Sequence, residues 1–460
     1  MPDGQLTNMQ ARDVEALLHP YTNAVQHRKT GAHVIAEGRG VYVTDAEGKE
    51  YIEGMAGLWC CGLGFGDKEL VEAAIEQMHR LPYYHLFGGR SHEPAIELAE
   101  AIKDLAPGMS KVFYQSSGSE ANESQVKLAW YYNNARGRPE KKKIISRVKG
   151  YHGVTIVSAS MTGLPYNHAD FDLPVDRIHH TLTPHHWRGA EPGEDERAFS
   201  ARLANELETL IEREGPETVA AFIAEPVMGA GGVIVPPEGY FEAIRPILEK
   251  HDVLMIADEV ICGFGRTGEW FGSDTFDVRP TSMSFAKQLT GGYAPLSAVA
   301  INEEMAEAIE ANTDKLGVFG HGFTYGGHPL GCAVGVAALR LYRERRILDH
   351  VRSVAPAFQA KLREYADHPL VGEARGVGLL GGLELAPDKT GRTMFQPAGK
   401  VGPKVCQELL KHGVILRAIG DTVAFCPPMI ITEQEVEAMF EPMEGALDAA
   451  HAWAKAEGFL

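Results

Sequence analysis

Between Lys111 and Ile301 the sequence alternates short apolar runs with longer helical stretches, and this alternation constrains the fold more than any other feature. The runs are Lys111–Gln115, Lys143–Val148, Val219–Ala224, Val253–Ala257, Ser282–Ala286 and Ser297–Ile301. Each is strand-length and rich in Val, Ile, Phe or Ala. Helical patterns over Asn122–Asn134, Ala198–Glu214 and Gly239–His251 separate them, the last with an internal Pro246 that predicts a kink or break. Strands that alternate with helices specify an α/β fold with a mostly parallel sheet. The two ends read differently. Extended pieces at Gly40–Asp45 and Glu50–Ile52 precede Met78, and a long helix over Leu330–Arg345 follows Pro329. We therefore expect a large domain over residues 79–329 and a smaller α+β domain built from 1–78 and 330–460.

Within those strands the polar residues fall in a pattern. In an open α/β sheet, ligands bind beyond the carboxyl ends of the strands. Ser116-Ser117-Gly118-Ser119 follows the first run and opens a helix, and Tyr151-His152 lies past the second. Glu225, Asp258 and Lys287 end the third, fourth and fifth. Five polar positions thus converge on one sheet edge.

Ser117, Gly118 and Ser119 have the chemistry of a phosphate cradle, with free N–H groups, a positive helix end and hydroxyl donors. A plain helix cap, with Ser119 as the capping residue, is the compatible alternative. Asp258 ends an apolar strand, where a carboxylate needs a cationic partner. A protonated ring nitrogen would serve, and so would a salt bridge to an arginine such as Arg266. Lys287 sits before the turn Gly291-Gly292-Tyr293, and a partly desolvated lysine is a nucleophile toward aldehydes.

Composition removes several function classes. The formal net charge is −18, with the acids spread along the chain, which disfavours nucleic acid as a partner. No apolar run is long enough to span a membrane. Six cysteines form no CxxC pair, which with the absence of a signal-like N-terminal pattern gives a cytoplasmic expectation. His179-His180 and His185-His186 invite a metal reading. Adjacent residues on an extended segment point to opposite sides, and no carboxylate or cysteine nearby completes a ligand set, so the expectation is loop residues and no metal.

The polar positions lie in longer motifs. These are GLWC (Gly57–Cys60), SSGSEAN (Ser116–Asn122), GYHG (Gly150–Gly153), AEPVMGAGG (Ala224–Gly232), ADEVICGFGRTG (Ala257–Gly268), SFAK (Ser284–Lys287), GYAPLS (Gly292–Ser297) and TYGGHP (Thr324–Pro329). In this order they resemble the class III aminotransferases, and most closely the omega-aminotransferases that act with pyruvate.

The resemblance implies a fold-type I transferase dependent on pyridoxal 5'-phosphate, working as a homodimer or a dimer of dimers. It implies Lys287 as the Schiff-base lysine and Asp258 as partner of the pyridine nitrogen. Ser117, Gly118 and Ser119 would hold phosphate, and Tyr151 and Val260 would face the two sides of the ring. His152 and Glu225 would lie beside the cofactor, and Thr324 would reach the neighbouring subunit's phosphate. Tyr21, Trp59, Phe87 and Tyr151 would wall the substrate pocket, and Arg417 would grip a carboxylate. Three positions depart from the pattern: Cys61, Gln288 after the lysine, and Gly326.

The expected reaction is ping-pong transfer of an amino group from an amine or omega-amino acid to a keto acid. An aminomutase or decarboxylase on the same fold, and a non-catalytic ligand-binding relative, are the alternatives.

Overall fold

The computed structural model describes residues 6–460. A seven-stranded sheet forms its centre, in the order Met109–Gln115, Ser297–Asn302, Ser282–Phe285, Leu254–Asp258, Val219–Ala224, Lys143–Arg147 and Ile178–Thr181. Ser297–Asn302 runs antiparallel to both of its neighbours, and the remaining pairings are parallel. All six residues of Val219–Ala224 are buried, as expected of a strand covered on both faces.

Successive strand residues feed opposite cores. Ile144, Ile223 and Ile256 pack with Ala121, Leu128 and Tyr132 of the helix Gly118–Ala135. Ile145, Phe222 and Met255 pack on the other side with the helices Glu196–Glu214 and Tyr240–Lys250. Period-two alternation thus places one helical layer on each face. The helix Tyr240–Lys250 runs unbroken through Pro246, contrary to the break the sequence suggests. Burial of Tyr240, Phe241, Ile244, Ile247 and Leu248 offsets the roughly 3 kcal/mol that an interior proline costs.

The sheet also corrects the reading of the histidine pairs. His179 and His180 lie on the edge strand Ile178–Thr181, parallel to Lys143–Arg147. His185 is buried and does meet carboxylates, with Nε2 2.8 Å from Glu373 and 3.7 Å from Glu384. Arg375 Nη1 lies 2.5 and 2.7 Å from the same two acids, so their charge is already matched.

Two four-stranded sheets flank the centre. One joins Ile35–Arg39, Tyr42–Asp45 and Glu50–Glu53 to Val414–Ile415, so strands from both ends of the chain share it. The other orders Val371–Val377, Leu380–Leu385, Thr422–Phe425 and Arg417–Ile419, all antiparallel. Among the described residues no helix is long and apolar enough to cross a membrane.

Candidate active site

Beyond the carboxyl ends of the central strands lies a cavity of about 350 Å³. Ser117, Gly118, Ser119, Tyr151, His152, Glu225, Asp258, Val260 and Lys287 all line it. The convergence expected from strand ends is therefore realised in three dimensions.

The helix Gly118–Ala135 presents its N-terminus to this cavity. Its cap is Ser117, whose Oγ accepts from the Glu120 amide at 3.2 Å, and not Ser119 as the sequence suggests. Ser119 is free to act elsewhere. Its Oγ accepts from the Val154 amide at 3.0 Å and ties the helix to the loop after Lys143–Arg147. A Cβ at Gly118 would come within 3.2 Å of Val260 Cγ1, so glycine sets the spacing between the cradle and the opposite wall. Gly153, at φ +131°, could carry no side chain, because a Cβ there would meet Ser119 Oγ at 2.6 Å.

Asp258 is held by three donors. Asn122 Nδ2 donates to its Oδ2 at 2.7 Å, His152 Nδ1 lies 2.8 Å from the same oxygen, and the Val260 amide donates to Oδ1 at 3.1 Å. The side chain is 4% exposed, so these bonds take the place of water. Arg266 takes no part, since it is buried and donates to the Pro427 carbonyl. The Nε2 atom of His152 is buried without a partner.

Asn122 was not singled out by the sequence. It also donates to the His152 carbonyl at 2.8 Å, joining two loops at the carboxylate. One helical turn beyond Gly118, it shares the face that meets the sheet, and that spacing could have found it.

Glu225 accepts from the amides of Tyr151 and Gly229, each at 3.0 Å, and full burial pushes its carboxyl up from the usual range. In the same lining Lys287 is half-buried with φ +47°. A non-glycine residue in the left-handed region costs about 1–3 kcal/mol and persists only where its surroundings enforce it. Such strain concentrates at functional positions. Cys60 also lines the cavity, and burial pushes its thiol up while the nearby Lys287 opposes the shift.

The remaining positions lie outside that lining. Tyr21 is 56% exposed, its hydroxyl accepts from Asn167 Nδ2 at 2.7 Å, and its ring meets Tyr166 edge-on at 6.0 Å. Burial raises the Tyr151 phenol strongly and Tyr21 adds to it, while the Arg417 guanidinium counteracts the shift. Arg417 acts likewise on Tyr166. Tyr21, Tyr151, Tyr166 and Arg417 therefore form one neighbourhood at the edge of the cavity.

Trp59 is 2% exposed and packs with Val227, Ile261 and Cys262 in a core cluster. Phe87 is half exposed and lines a separate groove of about 840 Å³, together with Val318–Phe323. Thr324 is exposed, and its carbonyl accepts from the Tyr83 hydroxyl. Gln288 is buried, with Nε2 donating to the Trp59 carbonyl at 3.3 Å.

Comparison with known proteins decides the family. The model of the class-III aminotransferases matches residues 22–447. The chain is a class III aminotransferase. Gamma-aminobutyrate transaminase 1, mitochondrial, of Oryza sativa subsp. japonica is 49% identical over 94% of this chain and 84% of its own. Gamma aminobutyrate transaminase 3, chloroplastic, of Solanum lycopersicum is 49% identical over 92% of this chain and 81% of that protein. Among solved structures, the omega transaminase from Pseudomonas jessenii in complex with PMP superposes with a TM-score of 0.96. It is 50% identical over 97% of this chain and 99% of that one.

This aminotransferase accordingly has the fold-type I architecture and depends on pyridoxal phosphate. Its cavity suits that cofactor: a helix N-terminus for the phosphate, a buried carboxylate for a protonated ring, and a lysine amine for an aldehyde.

Proposed function

We propose that this aminotransferase moves an amino group from an amine or omega-amino acid to a keto acid such as pyruvate, in two alternating half-reactions. The observation that carries this reading is the strained Lys287 lining the same cavity as the three-donor carboxylate of Asp258.

When bound, pyridoxal phosphate supplies an electrophilic aldehyde and a ring that withdraws electrons from the substrate carbon. The protein supplies everything else. Lys287 holds the cofactor through its amine and, once released, carries a proton to and from the substrate carbon as general acid and base. Asp258 keeps the ring nitrogen protonated, and Asn122 and His152 keep Asp258 in place. Ser117, Gly118 and Ser119 hold the phosphate at the helix N-terminus. Tyr151 and Val260 would bracket the ring, and Glu225, whose carboxyl burial pushes up, would lie beside its oxygen edge.

Arg417 receives the keto-acid carboxylate, since a guanidinium matches a carboxylate with two parallel hydrogen bonds. Its neighbourhood with Tyr21 and Tyr151 supports that role. Trp59, packed against Ile261 of the lining, would back the wall for the apolar group of the amine, and Phe87, which lines a separate groove, would join it only from a second copy of the chain.

We also propose that residues 79–329 form the cofactor domain, and that 1–78 with 330–460 form the smaller one. The sheet shared by Glu50–Glu53 and Val414–Ile415 supports this division. A second copy of the chain covers the groove beside Phe87 and brings its Thr324 to the neighbouring phosphate. The exposure of Phe87, Val318 and Tyr325, at 50, 67 and 63%, supports such a homodimer. Six free cysteines are consistent with a reducing compartment such as the cytoplasm.

A screen of amines against pyruvate tests the reaction. Alanine formed in equal amount to the carbonyl product is the expected result. Amine consumption without alanine, or with release of carbon dioxide, would point to a different reaction on the same fold.

A further inference from the structure

Far along the chain from the motifs, three metal-binding side chains converge near the N-terminus. Asp13 lies in the helix Asn8–Ala16, His27 in the helix Ala24–Thr30, and His19 between them. His19 Nε2 is 3.0 and 2.9 Å from the two Asp13 oxygens, and His27 Nε2 is 2.9 Å from Oδ2. The ligand atoms all lie within 4.8 Å of one another. Metal–ligand bonds of about 2.0–2.2 Å in tetrahedral geometry place neighbouring ligand atoms roughly 3.3 Å apart. The cluster is already close to that spacing.

We propose that Asp13, His19 and His27 bind a divalent ion of the zinc class, with water in the fourth position. Two nitrogens and one carboxylate oxygen are the donor set such ions take in three-ligand sites.

Two comparable clusters differ in one respect. Around His185, Arg375 lies within 2.7 Å of both acids, and Glu208 beside His251 pairs with Lys250 at 2.6 Å. Those acids already have a permanent cation. Asp13 has none within 4 Å among the described residues, where its partners are the two imidazoles alone. The imidazole rings are 4.3 Å apart and both reach the same carboxylate, so one divalent ion could take a nitrogen from each ring and an oxygen from Asp13.

The site has a structural consequence. The turn it closes carries Tyr21, at φ +50°, beside Asn167. An ion would clasp the two helices and fix that turn. Metal uptake does not depend on the aminotransferase reading; only the effect on Tyr21 does.

The test uses untagged holoenzyme, dialysed against Zn²⁺ with metal counted per chain, and Co²⁺ as a spectroscopic probe. One ion per chain and a cobalt d–d band of four-coordinate intensity are expected. His27→Ala and Asp13→Asn should each weaken uptake by more than the about 10- to 100-fold that loss of an outer-shell partner costs. Glu208→Ala should leave it unchanged. Hydrogen exchange across residues 8–30 should slow on loading in the parent protein and not in His27→Ala. No uptake by the parent protein, or equal uptake by both site variants, would overturn the proposal.

Discussion

The two sides of the cavity are built differently. The side formed by the central sheet is buried and cross-linked: Asp258 alone receives three hydrogen bonds, and Asn122 joins it to the His152 loop. The rim beyond the lining, where the chain's N-terminal part approaches, is open, with Tyr21 56% exposed and its hydroxyl accepting from Asn167. A rigid side suits chemistry that every substrate shares, because preorganised groups need not rearrange during reaction. A loosely held side suits discrimination among substrates, where different groups must be admitted in turn.

Substitutions can break or sharpen this contrast. The largest effect is expected for Lys287→Ala, which would remove the proposed general acid–base and should lower turnover by about 10⁴-fold. The protein should remain folded by circular dichroism. A folded variant that keeps measurable steady-state turnover would remove the distinction between the two sides.

Asp258→Asn comes next. It keeps the shape of the side chain and removes the charge that favours a protonated ring nitrogen. Single-turnover rates should fall by about 100-fold or more, at about 1.4 kcal/mol per tenfold, while cofactor absorbance stays. Near-normal rates would leave Asp258 with a structural part only.

On the open side, Arg417→Ala should separate the half-reactions. Conversion of a neutral amine needs no carboxylate grip and should change little. The keto acid loses charge-assisted bonds worth about 1.5–3 kcal/mol each, so its apparent affinity should drop by about 10- to 100-fold or more. Stopped-flow absorbance measures each half alone. An equal fall in both would assign Arg417 to the fold.

The smallest effect concerns stability beneath the open side. Glu53 accepts from the Gly57 amide at 2.5 Å, and burial pushes its carboxyl to about 7. Its folded value lies above the unfolded one, so the folded state binds more protons between them. Stability is therefore fullest below about pH 4.5 and declines as pH rises toward 7, by up to about 3 kcal/mol. Glu53→Gln should flatten that decline, read as a smaller melting-temperature difference between pH 5 and pH 8. An unchanged difference would show that Glu53 does not titrate there.

The same contrast explains what the sequence could show. Asp258 and Lys287 were legible because an apolar run ending in a polar residue marks both a strand and its carboxyl end. The central strands and their flanking helices followed from the same pattern. The strand Ile178–Thr181 did not, since its sequence is Ile-His-His-Thr and only the ends are fully buried. Sheet pairing, not local pattern, makes it a strand. The helix cap was placed two residues late because Ser117 and Ser119 are both good caps, and only the loop at Val154 shows which one is engaged elsewhere.

Long-range partners were the least legible. Asn122 and Asp258 are 136 positions apart, and His185 and Glu373 are 188 apart. Nothing local to either residue announces such a meeting. Arg266 was a reasonable partner for Asp258 by proximity in sequence, yet its guanidinium turns to the Pro427 carbonyl. On the open side the family motifs supplied Tyr21, Trp59, Phe87 and Arg417, because exposed or core aromatics carry no periodic signal that marks a pocket.

At the centre of the proposal, Lys287 holds the cofactor in the cavity it shares with Asp258. Borohydride reduction of the holoenzyme, followed by protease digestion and mass spectrometry, tests it most directly. One modified peptide is expected, containing Ser284–Lys287, with the added mass on Lys287 and none in the Lys287→Ala variant. The cofactor mass on Lys149 or any other lysine would contradict it.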